Sequence, residues 1–458
     1  MDMTVTYLAL PVLSTQFKPL STELLWITDI FGFFEAGLLI IMGALGDRLG
    51  LRKILLVGAT AFTIASVLAA FSPAVFWLIL ARAMMGIAGA TILPTVISLI
   101  RNMFHDDKRR TFAMGLYTTC FSSGTMLGPI IGGFLLSHFW WGSIFLMPVP
   151  LILLLLIVAP VYLPEFKHPD TKAVDYMSAV ALIAAILLII FGLKQIAQNG
   201  LEVWPFVSIS AGTALTIVFI QRQKNVSNPL IDLELFKGIT FNVSLAALFT
   251  GLFSWAGIFM FVTQYQQSVL GLNPFESGLW LLPGALGSII LCMLVPFILR
   301  HLSRATAMAL GLTVLAMGML LLVFITTTSL TLLVAACFLI SGGCGLTVTL
   351  GIDNVVTSAP PEKAGIAAGI SETSTGFGAS FGIAILGIIW TSIYRANMPA
   401  NIPEAKNTIG GALAESARLH TPELLIQAQE AFVHSTHITA GICVFIVAAM
   451  AVVVKLTD

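Results

Sequence analysis

Long apolar runs separated by short polar loops set the pattern of this chain. Stretches near 20 residues, each long enough to cross about 30 Å of hydrocarbon as a helix, recur from end to end. The reading predicts fourteen hydrophobic segments, near 1–13, 25–45, 54–72, 76–100, 112–137, 143–163, 174–194, 204–221, 240–267, 276–299, 306–325, 330–353, 364–394 and 433–455. Helices are expected because only they satisfy their backbone groups internally in lipid. The connection 395–432 is longer and polar, with a helical stretch from Pro422 to Ala431, and is expected to form a folded external hairpin. The first apolar run, Met3 to Leu13, is about half a spanning helix. No cleavable signal peptide is visible. The first helix is either truncated at its amino end, which is the favoured expectation, or unusually short.

Charge then gives an orientation. If the first segment runs outward, sixteen of the 22 Lys and Arg residues fall on the cytoplasmic side, five outside, and Arg82 within a segment. This predicts both termini in the cytoplasm and supports an even number of segments. Of the 458 residues, 58% are hydrophobic and 10% charged, too few charges to cover a soluble fold of this length. The formal net charge is zero, which gives no global field for nucleic acid. The five cysteines lie scattered in apolar runs, with no metal or disulfide pattern. No Gly-x-x-x-x-Gly-Lys-Ser/Thr loop, nucleophile motif or metal cluster points to an enzyme, and no cofactor is expected.

Four motifs carry chemistry. Between the second and third segments stands Gly43-Ala-Leu-Gly-Asp47-Arg48-Leu-Gly50-Leu-Arg52-Lys53. Its glycines permit tight turning and close helix approach, and Asp47 can pair with cations or helix-end donors; an ordinary basic loop would share most of these traits. The fourth segment holds Arg82 in Leu78-Ile-Leu-Ala-Arg82-Ala-Met-Met-Gly86. A guanidinium at that depth needs a partner, either to tie helices together or to handle protons. The fifth segment reads Gly124-Thr-Met-Leu-Gly128-Pro129-Ile-Ile-Gly132-Gly133, small residues that allow close packing with a proline kink. The opening reads Asp2-Met-Thr4-Val5-Thr-Tyr7-Leu-Ala9-Leu10-Pro11.

In this order the motifs resemble those of the major facilitator superfamily, in particular its fourteen-helix drug:proton antiporter branch, the QacA- and SmvA-type multidrug efflux pumps. The resemblance covers essentially the whole chain. It implies an all-α polytopic membrane fold of two six-helix bundles around a central cavity, with two inserted helices. The expected division is 1–163 for the first bundle, 164–239 for the inserted pair and linkers, and 240–458 for the second bundle with its external loop 395–432. It further implies that Gly43, Asp47, Arg48, Gly50, Arg52 and Lys53 latch the cytoplasmic side. Gly124, Gly128, Pro129, Gly132 and Gly133 match the motif that marks exporters, and Arg82 the segment-four motif tied to proton transfer.

Few acids lie within apolar segments: Asp2, Asp29, Glu35, Asp353 and Glu372. Burial favours the neutral acid, whereas a bound organic cation favours the carboxylate, so proton and cation compete for one group. Asp2 matches the first-helix motif and is expected to bind protons and cations. Glu372 lies where the resembling pumps also carry acid. Their further acids correspond here to Ser371, Gly376 and, in the tenth segment, Ser288, which implies a less anionic cavity and disfavours divalent-cation substrates. Glu35 stands where the family has an apolar residue, as a second titratable group or a packing glutamate. Asp29, nearer the outer end, suits a gating or structural role and, like Ser288, is a candidate to line the cavity; Asp353 reads as a helix-end residue. Trp255, Phe259, Phe261, Tyr265 and Trp280, together with Tyr7, are candidates to line the cavity, or else anchor at lipid.

The resulting expectation is a monomeric, multi-pass protein of the bacterial cytoplasmic membrane. It would expel lipophilic, cationic drugs or antiseptics in exchange for protons by alternating access, drawing on the proton gradient. Its partners would be small amphiphilic substrates, protons and the lipid bilayer. Export of an endogenous metabolite, peptide or lipid-like amphiphile by the same cycle is the alternative; a non-transporting membrane sensor or enzyme is a third, less favoured reading.

Overall fold

The computed structural model describes residues 5–457 except 7, 8, 10–12, 14–16, 18–20, 168–175, 200–202, 227–232, 273, 400, 401, 403, 404, 407 and 408. Regular structure among the described residues is helical throughout. The first group of helices is α1 (Ser21–Leu49), α2 (Leu51–Ala70), α3 (Val75–Met103), α4 (Asp107–His138), α5 (Ser143–Leu146) and α6 (Val149–Tyr162). A pair follows, α7 (Tyr176–Asn199) and α8 (Val203–Asn225). The last group is α9 (Ile239–Gln264), α10 (Pro274–Ile298), α11 (Arg304–Leu322), α12 (Leu330–Ser358), α13 (Ala364–Ala396), α14 (Ile409–Leu419) and α15 (Pro422–Lys455).

Eleven of the described helices are long and apolar enough to cross a membrane by length and composition. Helices α4 and α7, at 32 and 24 residues, are also long enough to span. Expected segments two to fourteen therefore each fall on a described helix. Most of the first segment lies outside the described residues. Val5, Ala9 and Leu13 are nevertheless helical and buried, and with the half-buried Phe17 they join the apolar cluster that holds Phe31, Phe62 and Phe145. The 395–432 connection holds α14, and its Pro422 stretch is the first part of α15, continuous with the last span.

Lipid tails are as apolar as leucine, so helix association here rests on close packing and polar contacts rather than on burial from water. In the first group α3 packs on α1 and α2; in the last, α9 packs on α13, and α12 on α10 and α11. The groups meet where α1 and α3 touch α13, and where α4 touches α10 and α12. Helix α7 pairs with α8 and lies against both α1 and α13, so it straddles their seam. One apolar cluster crosses between the groups, joining Phe33, Ile40 and Met114 to Val355, Ala367 and Ile370.

Candidate functional site: the seam between the two helical groups

At the end of the molecule that carries Asp47, the seam closes by backbone contact. A Cβ on Gly43 would overlap the Gly365 carbonyl, and one on Gly365 would overlap the Gly43 carbonyl. Only glycine at both positions lets α1 and α13 come this close. One turn farther, Gly369 rests against Ile40. The absence of side chains brings Asp47 to the first turn of α13, whose leading N–H groups have no partner within the helix. Asp47 is 1% exposed, and its Oδ1 and Oδ2 accept from the Gly365 amide at 3.1 and 2.8 Å. A carboxylate at that helix terminus gains both the hydrogen bonds and the favourable end of the helix dipole.

The rest of the Asp47 loop is built by the same chemistry within its own group. Gly50 has φ 114°, a left-handed conformation that favours glycine, and a Cβ there would lie 2.7 Å from Glu165 Oε1. Glu165 accepts from the Arg52 and Lys53 amides at 3.0 and 3.1 Å, capping α2, while Arg52 Nη1 donates to the Leu163 carbonyl at 3.1 Å. Arg48, also in this turn, is half-buried. The motif thus divides its work: Asp47 reaches across the seam, and Gly50, Arg52 and Lys53 hold the turn that aims it.

A second clasp lies beside the first, and here the helix-end reading of Asp353 is corrected. Asp353 is 1% exposed; its Oδ1 accepts from Arg110 Nε of α4 at 2.9 Å, and its Oδ2 from Arg304 Nη1 of α11 at 2.6 Å. Thr111 Oγ1 donates to Asp353 Oδ2 at 3.3 Å, and Arg110 also pairs with Asp107 at 2.7 Å. Nothing local in the sequence pairs residues 243 positions apart. The available hint was that Asp353 closes the apolar run 330–353 while Arg110 and Arg304 stand just before the runs 112–137 and 306–325.

Deeper along the seam, Tyr117 of α4 donates from its hydroxyl to Glu372 Oε1 of α13 at 3.2 Å. Glu35 of α1 packs within the first group, its Oε1 3.2 Å from the position a Cβ would take on Gly89 of α3. One turn beyond Glu372, a Cβ on Gly376 would meet nothing within 4 Å, so the helix faces open space there. The described hydrogen bonds between the groups run from Asp47 to Glu372, which makes the Asp47 end the closed end.

The other expected site residues fall as follows. Asp2 and Tyr7 lie outside the described residues. Asp29 is on α1 and Pro129 on α4, and nothing is described of their side chains. Arg82 is fully buried; its Nε donates to the Ile27 carbonyl at 3.1 Å, and its guanidinium lies 4.9 Å from the Phe31 ring centre and 5.7 Å from that of Phe145. These contacts lie within the first group. Gly124, Gly128, Gly132 and Gly133 are on α4, with Gly132 against the Val5 side chain. Ser288 is buried against Gly345 where α10 meets α12. Trp255 stacks on Phe259 at 5.0 Å and Phe261 on Trp390 at 4.9 Å; Trp280 is 40% exposed. Tyr265 is buried, its hydroxyl on the Thr326 carbonyl. Among the described residues no group of three or more His, Cys, Asp or Glu is placed to hold a metal.

Comparison with known proteins bears on this arrangement. Over 99% of its length the chain is 38% identical to the multidrug efflux pump LfrA of Mycolicibacterium smegmatis, covering 92% of that protein. It is 32% identical to the methyl viologen resistance protein SmvA of Salmonella typhimurium, covering 95% of this chain and 90% of that one. Identity to the multidrug resistance protein Stp of Mycobacterium tuberculosis is 26%, over 88% of this chain and 76% of that protein. The fold matches the crystal structure of the human organic anion transporter MFSD10 (TETRAN) with a TM-score of 0.60 at 15% identity, over 96% of this chain and 88% of that one, a likeness of fold alone. The sequence model of the Major Facilitator Superfamily matches residues 1–383. With this match, the latched seam and the all-helical architecture, the chain is a multi-pass membrane protein that belongs to the Major Facilitator Superfamily of transporters.

Proposed function

We propose that this chain is a multidrug efflux pump that exchanges lipophilic organic cations for protons across the bacterial cytoplasmic membrane. The similarity to LfrA, SmvA and Stp supports export of drugs. The observation that carries cation and proton coupling is Glu372: an acid within a membrane-spanning helix, at the seam between the helical groups, bordered by open space at Gly376. An acid in that setting exchanges a proton for a cation readily, because each ligand neutralises the group. The closed, Lys- and Arg-rich end is the cytoplasmic one by the distribution of positive residues, with both termini on that side. The conformation described is then the one open to the outside, with Asp47 and Asp353 holding the cytoplasmic side shut. The pump works as a monomer and needs no cofactor beyond the proton gradient.

The test is ethidium efflux from energised cells lacking their own pumps, comparing the chain with Glu372→Gln, with and without a protonophore. We expect protonophore-sensitive efflux that falls at least tenfold in the variant. Efflux that persists with the gradient collapsed, or is untouched in Glu372→Gln, would overturn the coupling. Absence of ethidium efflux from well-expressed protein would overturn the cationic substrate and favour a metabolite or lipid-like cargo.

A further inference from the structure

Helix α13 carries a second stripe, on the side away from Glu372. Ile370, Thr373, Phe377 and Phe381 recur at spacings of three and four, so they share one face. Glu372 stands two residues from Ile370, just over half a turn, and points the other way, toward Tyr117. The stripe borders a slot of about 350 Å³. Ile40 of α1, Ile189 of α7 and Phe249 of α9 supply its other walls, and Phe236, just before α9, completes the lining. That volume lies at the lower end of the range for small-molecule sites, roughly 300–1,000 Å³.

The lining has four phenyl rings and, among its described residues, no ionisable side chain. It holds two hydroxyls, and they differ. Ser374 is satisfied, because its Oγ donates to the Leu245 carbonyl of α9 at 3.1 Å. Thr373 is not: the residue is 8% exposed, and its Oγ1 has no hydrogen-bond partner. A hydroxyl stranded in an apolar wall carries a cost that a ligand can remove by accepting a hydrogen bond from it.

We propose that this slot is a second binding site, for an uncharged aromatic molecule with a hydrogen-bond acceptor. The phenyl rings pack on the ligand's rings, and the Thr373 hydroxyl donates to its acceptor. A cation finds no counter-charge here. A lipid chain would fill apolar space but leave Thr373 unpaired, so the stranded hydroxyl favours the ligand with an acceptor. The walls come from α1 in the first helical group, from α9 and α13 in the last, and from α7 across their seam. A ligand that touches all of them binds best when they stand as described, and by linkage it holds them there. An uncharged molecule in the slot therefore arrests the transporter without touching Glu372. None of this depends on what the transporter carries.

The probe for the experiment is benzophenone, which is uncharged, has two rings and one carbonyl, and bonds to a nearby C–H when irradiated. The full chain in lipid nanodiscs is irradiated at rising benzophenone concentration, and the labelled peptides are mapped by mass spectrometry. Saturable labelling is expected within residues 370–381 and at Ile189 or Phe249. Thr373→Val, which keeps the shape and removes the hydroxyl, should raise the half-saturating concentration about three- to tenfold. Ile189→Trp, which fills the slot from α7, should abolish the saturable labelling. Labelling that never saturates, or that Thr373→Val leaves unchanged, would make the slot a crevice for lipid chains and overturn the proposal. Saturating benzophenone should also slow, several-fold, the modification of a cysteine introduced beside the seam at the Asp47 end, with no such effect in Ile189→Trp. An unchanged rate would overturn the hold on the seam.

Discussion

Asp47 shows how one side chain can decide a conformation. Its two oxygens share the single Gly365 N–H, a bifurcated hydrogen bond that forms only when α1 and α13 touch, so it stabilises the closed end and nothing else. Losing such a bond and stranding its buried donor costs roughly 1–3 kcal/mol. Replacing Asp47 with Ala should shift the balance between closed and open ends by about ten- to a hundredfold. Labelling of a cysteine introduced beside the seam at the Asp47 end should accelerate to match; an unchanged labelling rate would show that the glycine contact alone holds the end shut. Asp47 and Gly50 were legible in the sequence, because the acid and the turn glycine stand within one short loop. Asp353 was not. Its partners come from α4 and α11, and only the folded chain brings three such distant positions together.

At the scale of elements, the apolar runs foretold the described helices well, because a spanning helix needs a length and a composition that few other structures share. The reading was weaker for helix function. The Pro422 stretch reads as a helical part of a polar hairpin; it is helical, but it runs on into α15 without a break, since helix propensity persists beyond the apolar stretch. The tenth-segment Ser288 pointed to a cavity by resemblance, whereas the structure buries it in a helix contact. The inserted pair had no motif at all, and its position across the α1–α13 seam follows from packing alone. Its internal contact is tight: a Cβ on Gly212 would sit 2.7 Å from Ile189 Cγ1 and 2.9 Å from the Ala185 carbonyl. Gly212→Leu should therefore splay α7 from α8, costing about 1–3 kcal/mol by overpacking. Its melting temperature in detergent should drop by several degrees, with slower efflux as α7 loses its seat on the seam. A variant that melts earlier but pumps at the wild-type rate would reduce the pair to a passive cover.

For the molecule as a whole, the two clasps make the closed state a sum of separate cross-seam contacts, one on helix termini and one on side-chain ions. The ionic one is the more exposed to mutation. With Asp353 neutralised, Arg110 would lose its buried counter-charge, a change that typically costs about 3–5 kcal/mol. Asp353→Asn should accordingly lower both melting temperature and efflux. The double variant Arg110→Gln with Asp353→Asn should lose less than the two single losses combined, because the stranded charge is removed with its partner. Additive losses in such a double-mutant cycle would mean that the two residues act apart. The similarity to exporters could be read from motifs in order along the chain, but the meeting of Tyr117 with Glu372 could not, nor the register of α1 against α13, which Gly43 and Gly365 set.

Those glycines have one more consequence, for the cell that carries the protein. A pump that runs on a proton gradient, as proposed for this one, must not short-circuit it. Water threads easily between side chains, and a file of water conducts protons. Where Gly43 and Gly365 press main chain to main chain, no such file fits. Between these two helices the contact acts as electrical insulation, a stretch of the closed end through which no current leaks while the site exchanges its ligand on the other side.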